Sequence, residues 1–300
     1  MSERAPFAVD IRTLLQPIPG REPVGEWLRY EGTYDAVQEA RQEEDESLPK
    51  GIWTSKVKRA DWAKVDALCQ KALRERSKDL QLAVWLAEAW LQLYGLPGFA
   101  GGLQLCAALL NRFWESLYPV IDEGEVAYRL APLEFLDRKV ALRVKLLPLV
   151  QSPGDGEPQL NFTDWERALY NDKTSQSGSG ELSPAQFLAA AASTPAQRFI
   201  VLHAELLSVE QAARAVEAAI AEHTGGPSAV LRGLRALITD IVVLIAQYTP
   251  EAAPPSALPA GGGGSGPAVS PAAGATAQAR PDSSAEAPIA GRAPTASESW

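Results

Sequence analysis

Apolar residues recur every three or four positions through most of the chain, the spacing of helices that bury one face. Trp62, Val65, Leu68, Cys69, Ala72 and Leu73 form one such stripe. Asp61 before it can cap a helix that runs to about Arg76. The next segment, about Asp79–Tyr94, is apolar on nearly its whole circumference through Leu80, Leu82, Val84, Trp85, Leu86, Trp90, Leu91 and Leu93. A helix of that kind lies at the centre of a core. Gly95 ends it and Pro97-Gly98 make a turn. A third helix then carries Leu103, Leu105, Cys106, Leu109, Leu110, Phe113, Trp114 and Leu117, and stops at Tyr118 before Pro119. A fourth spans roughly 126–147.

Two later pairs, Ser183-Pro184 and Thr194-Pro195, match an N-cap followed by proline at the first helical position. A long helix is expected from Pro195 to His223, closed by Gly225-Gly226, with another from Pro227 to Tyr248. Convincing alternation of period two is absent, so any β-structure is marginal. Between the blocks, Thr163-Asp164-Trp165-Glu166 reads as an N-cap followed by one or two helical turns. The fold class expected is all-α: an N-terminal helical bundle (7–150), a connector (151–180), a second, smaller helical block (181–249) and a disordered tail (250–300).

Composition supports the tail. Residues 250–300 hold nine Pro and seven Gly in 51 positions, near the ~30% at which an aperiodic chain fails to bury a core. As a random coil such a linker spans about 40 Å root-mean-square. Because it ends at Trp300, a following domain is expected beyond this sequence. The N-terminus lacks the apolar run of a signal peptide. Arg235 and Asp240 interrupt the apolar stretch 234–248, which is too short to span a membrane. A cytoplasmic protein without membrane insertion is expected. The net charge of −9 argues against non-specific nucleic-acid binding, which needs a basic surface.

Candidate chemistry is sparse. Cys69 and Cys106 sit on apolar stripes without a CxxC partner, and His203 and His223 lie on one helix. Neither a triad nor a metal set can be assembled from them. Gly20–Gly25 fits GxxxxG, but Glu26-Trp27 follows where a phosphate loop needs Lys-Ser/Thr. The acidic run Glu43-Glu44-Asp45-Glu46 lacks the spacing and glycine of a Ca²⁺ loop. Lys56, Lys58 and Arg59 make a small basic patch, read as a surface face or protein contact. No cofactor is expected. Of the eight tryptophans, Trp62, Trp85, Trp90 and Trp114 stand at core spacing. Trp27 and Trp53 fall in irregular segments and either staple these to the bundle or form a binding surface. In Ser77-Lys78-Asp79, Ser77 or Asp79 caps the central helix with Lys78 exposed; alternatively Lys78 and Asp79 form a buried polar pair or a partner contact.

Four stretches, in order over about residues 17–136, resemble the ImpA N-terminal domain of TssA-type proteins of the bacterial type VI secretion system. They are Pro17-Ile18-Pro19-Gly20 with Pro23-Val24-Gly25-Glu26-Trp27-Leu28-Arg29-Tyr30; Asp61-Trp62 leading to Glu75-Arg76-Ser77-Lys78-Asp79-Leu80; Trp85-Leu86, then Gly95-Leu96 and Phe99-Ala100-Gly101-Gly102-Leu103; and Phe113-Trp114-Glu115-Ser116-Leu117-Tyr118-Pro119. Trp27 departs from the acidic residue expected there. The resemblance implies a non-enzymatic assembly component that meets baseplate, tail tube and sheath, and membrane-complex proteins. It also implies oligomerisation through a C-terminal domain that this sequence does not display. Trp27, Leu28, Arg29, Tyr30, Lys78 and Asp79 are the signature or partner-contact candidates. The competing readings are a generic helical adaptor outside secretion, and an enzyme with a site between the helical blocks.

Overall fold

The computed structural model describes residues 6–43, 58–151, 159–174 and 181–249. Trp53, Lys56, the acidic residues 44–46 and the segment 250–300 lie outside them. The chain up to Ala253 forms one compact unit. Its helices are α1 (Thr33–Arg41), α2 (Trp62–Glu75), α3 (Leu80–Tyr94), α4 (Leu96–Phe113), α5 (Ala127–Phe135), α6 (Ala141–Lys145), α7 (Phe162–Thr174), α8 (Pro184–Ser193), α9 (Ala196–Thr224) and α10 (Arg232–Ala246). Short 3₁₀ turns precede α1 at Ile11–Thr13 and Leu28–Tyr30. Among the described residues one antiparallel strand pair, β1 (Pro148–Val150) and β2 (Leu160–Asn161), lies between α6 and α7.

The apolar α3 lies at the centre, packed against α2, α4 and α5. Asp61 caps α2 through Lys64 N at 2.9 Å, and Asp79 caps α3 through Gln81 N at 2.8 Å. α3 and α4 form a tight hairpin because Gly102 has no side chain: a Cβ there would stand 2.4 Å from Ala87 Cβ. The long α9 then covers α4, the most extensive helix–helix contact in the fold. Phe199, Leu202, Leu206, Val209, Ala213, Val216 and Ile220 form its buried stripe. The two helical blocks therefore share one continuous core.

Several elements depart from the sequence reading, each for an identifiable reason. α1 occupies part of what reads as an irregular N-terminal segment; Tyr34, Val37 and Ala40 bury its short inner face. α4 ends at Phe113 rather than Tyr118, and Arg129 takes over the freed carbonyls (below). The fourth predicted helix holds a π-turn at Leu136–Val140 between α5 and α6. α7 runs for 13 residues and is capped by Asn161, not Thr163. Asn161 Oδ1 accepts from Thr163 N and Asp164 N, while Asp164 Oδ2 accepts from Asn161 N. α10 begins at Arg232 rather than Pro227, because its first turn is capped from far away: Asp137 Oδ1 accepts from Leu234 N at 2.7 Å. Trp62 is half-buried at the rim, with the Arg143 guanidinium 5.0 Å over its ring, whereas Trp85, Trp90 and Trp114 are buried.

Candidate functional site

Three sequence-distant segments meet in a short backbone ribbon beside α3. Lys78 N donates to Val24 O at 2.7 Å and Glu26 N to Arg76 O at 3.1 Å; Tyr118 N donates to Lys78 O at 3.1 Å and Leu80 N to Tyr118 O at 2.8 Å. Gly25 adopts φ +72 there, and a Cβ on it would fall 1.9 Å from Arg76 O. Only glycine fits that approach.

The inner side of the ribbon is polar and closed. Lys78 is fully buried and donates from Nζ to Leu14 O at 2.8 Å and to Leu73 O. The ammonium thereby ties the N-terminal segment to the last turn of α2, where free carbonyls favour a cation. Burial pushes its pKa down to about 8, with Arg112 adding to the effect. Asp79 caps α3 and accepts from Tyr34 Oη at 2.7 Å. Burial pushes its carboxyl up to about 6, against the pull of those hydrogen bonds. The Tyr34 phenol is raised, first by its own burial and then by the Asp79 charge.

The outer side is aromatic and open. Trp27 stacks on Tyr118 with centroids 6.1 Å apart and planes 2° from parallel, and meets Tyr30 edge-on at 5.7 Å. The Arg29 guanidinium lies over Trp27 (5.9 Å), Tyr30 (5.7 Å) and Tyr128 (5.7 Å). Tyr30 is 79% exposed and Tyr128 42%. Arg129, next to Tyr128, is fully buried and donates to Pro119 O at 2.8 Å, Leu117 O at 2.6 Å and Trp114 O. It satisfies the carbonyls left open after α4 and so fixes both Tyr128 and the loop bearing Tyr118. Burial lowers its pKa to about 10. The Tyr118–Pro119 peptide is cis.

Trp27, Val120, Asp122, Glu123, Glu125 and Tyr128 line a cleft of about 550 Å³ beside these rings. The acidic lip is a tight turn in which Glu125 N donates to Asp122 O at 2.8 Å, with Glu123 at φ +48 and Gly124 at φ +81. A second cleft of about 570 Å³ lies between Phe7, Tyr94, Pro97, Leu147 and Val201. Its half-buried Arg198 is bound to Leu149 O and Pro148 O.

The structure splits the six signature residues. Trp27, Arg29 and Tyr30 reach the outer face, whereas Leu28, Lys78 and Asp79 are fully buried. Asp79 is the cap, but Lys78 is not exposed: the carbonyls of Leu14 and Leu73 hold its ammonium inside. Tyr118, Val120, Tyr128 and the acids at 122–125 complete the surface. Sequence reasoning missed that role for them. The only local signal is an Asp-Glu-Gly-Glu turn just before an aromatic residue.

Conventional reactive groups lie elsewhere. Cys69 and Cys106 are buried, and burial raises both thiols, Cys106 to about 12. His223 stacks on Trp114 at 4.5 Å. Among the described residues, no group of three or more His, Cys, Asp or Glu is placed to hold a metal ion. No helix among them is long and apolar enough to cross a membrane. What the outer face offers is therefore contact area with a negative rim.

Residues 15–138 match the family model described as ImpA, N-terminal, type VI secretion system. Over 295 residues the chain is 28% identical to the type VI secretion system component TssA1 of Pseudomonas aeruginosa, covering 96% of this chain and 80% of that protein. Its fold matches the N-terminal domain, including the ImpA_N region, of the TssA component from Burkholderia cenocepacia. The TM-score is 0.67 at 26% identity, over 81% of this chain and 94% of that one. Every residue lining the aromatic cleft, and every ribbon residue except Leu14, falls within the matched stretch 15–138.

Proposed function

Because the chain belongs to the TssA-type components of the type VI secretion system and carries their ImpA N-terminal domain, we propose that it acts as a non-enzymatic assembly component that binds baseplate and tail tube or sheath proteins. It works from the cytoplasmic side, where membrane-complex proteins are a further class of partner. The observation that carries this reading is the similarity to TssA1 over 96% of the chain.

Geometry supports the same reading. The displaced ionisable groups of the ribbon, Lys78, Asp79 and Tyr34, are buried there, and each has a structural partner. Exposed tyrosine and half-buried tryptophan around one arginine instead make the kind of surface that dominates protein interfaces. Oligomerisation of the chain would present several such surfaces at once and raise avidity.

The test is capture by the immobilised full chain of purified baseplate, sheath and tube components. Retention of at least one, competed by the same component free in solution, is expected. Retention of none, or substrate turnover assignable to the chain, overturns the proposal.

A further inference from the structure

Resting on that assembly role, we propose that the cleft between Trp27 and Tyr128 docks a cationic segment of a partner protein, a loop or terminus bearing arginine or lysine, and that Arg29 holds the ring faces until it arrives.

Three observations converge on a cation. The ring faces of Trp27, Tyr30 and Tyr128 are electron-rich, and a guanidinium already lies within 6 Å of all three. The ring cluster beside the cleft, two of whose rings line it, therefore accepts a cation in this geometry, supplied from the same chain. Next, the three carboxyl-bearing residues of the lining, Asp122, Glu123 and Glu125, sit on one turn and leave the lining without a basic residue. Finally, the negative field extends beneath the rings: besides burial, Glu22, Asp79 and Glu26 raise the pKa of the Tyr118 hydroxyl.

The two competing chemistries fit less well. An anionic segment would face three carboxylates across low-dielectric rings. A purely apolar segment would strip water from those carboxylates and return no partner. A cationic segment meets the carboxylates as ion pairs and the rings as cation–π partners. Arg29 does not block it, because its side chain is exposed and can leave the rings by rotation while the backbone of the Leu28–Tyr30 turn stays in place.

The experiment uses fluorescein-labelled hexaarginine and hexaglutamate peptides, titrated with the full chain and read by anisotropy at low salt. Hexaarginine is expected to bind and hexaglutamate not to. The D122N/E123Q/E125Q variant is expected to lose about tenfold in affinity. A control of equal net charge on other helices, E39Q/D172N/D240N, is expected to lose less than about threefold. Y128A is expected to weaken binding about threefold through the lost ring, and R29A to strengthen it about as much by removing the competing cation. Equal weakening by the two charge variants, or weaker binding by R29A, overturns the assignment.

Capture of secretion components distinguishes this inference from the reading beneath it. If the wild-type and D122N/E123Q/E125Q chains retain the same component equally well, the cationic-segment assignment fails and the assembly role stands. If the wild-type chain retains none, the assembly role fails, and the peptide titration decides the chemistry of the cleft on its own.

Discussion

Lys78 and Asp79 are adjacent, fully buried and oppositely displaced in pKa, yet each is satisfied by different partners. Removing the Lys78 ammonium leaves two carbonyls without a donor and a cavity where its stem ran. Lys78→Ala is expected to lower stability by about 3 kcal/mol, read from urea unfolding. For Asp79, the folded state holds its proton up to about pH 6, whereas the unfolded chain releases it near 3.8. A raised carboxyl pKa favours the folded state at low pH, and that contribution is lost as pH rises through 6. Asp79→Asn can keep the Gln81 cap without the charge. Relative to that variant, the wild-type chain is expected to lose on the order of 2 kcal/mol between about pH 4 and 6. Melting temperatures of both proteins across that range check it. Lys78 also marks a limit of the sequence. Ser77-Lys78-Asp79 reads as a local cap with an exposed lysine or, alternatively, as a buried polar pair or partner contact; the ammonium instead turns inward to two backbone carbonyls, that of nearby Leu73 and that of Leu14, 64 residues away.

Helices whose signals are local are plain in the sequence. The stripes of α2 and α4, the all-round apolar α3, the length of α9 and the caps Asp61 and Ser183 lie where spacing and N-cap chemistry put them; Thr194, read as the cap of α9, makes no cap bond, because Pro195 stands at the N-cap. Helices shaped by remote groups are not. The start of α10 depends on Asp137, 97 residues from the Leu234 amide it accepts, and no window of neighbouring residues contains that information. The end of α4 likewise depends on Arg129. The α3–α4 hairpin gives the sharpest test at this scale. Alanine is the better helix former by about 1 kcal/mol, but at Gly102 its Cβ would sit 2.5 Å from the Ala87 Cα. The helices would have to separate, and overpacking should win: Gly102→Ala is expected to destabilise by about 2 kcal/mol net. A shift of the urea midpoint to lower concentration, at unchanged slope, is the readout.

At the scale of the molecule, the stretch that carries the family match is not a separate body. α4 is buried along most of its length, and α9, outside residues 15–138, is its largest partner. A fragment of residues 1–150 should therefore expose the α9-facing side of α4, bind a hydrophobic dye and melt without a cooperative transition. Residues 1–253 should unfold in one step. The aromatic cleft was hidden from the sequence for a similar reason. Trp27 and Tyr30 are separated from Tyr128 by about a hundred residues, and the ribbon and Arg129 bring them together. Trp27, Arg29 and Tyr30 were visible as candidates, while their acidic and aromatic neighbours were not. The role proposed for this assembled face is to join the chain to the secretion machinery. The direct measurement replaces Tyr128 with photo-reactive benzoylphenylalanine in cells assembling the apparatus, with Leu207 on the outer side of α9 as the comparison site. A light-dependent product from position 128 that contains a baseplate, tube or sheath protein, crosslinked within a basic segment, is expected. Crosslinks to those proteins from position 207 and none from position 128 would contradict that role.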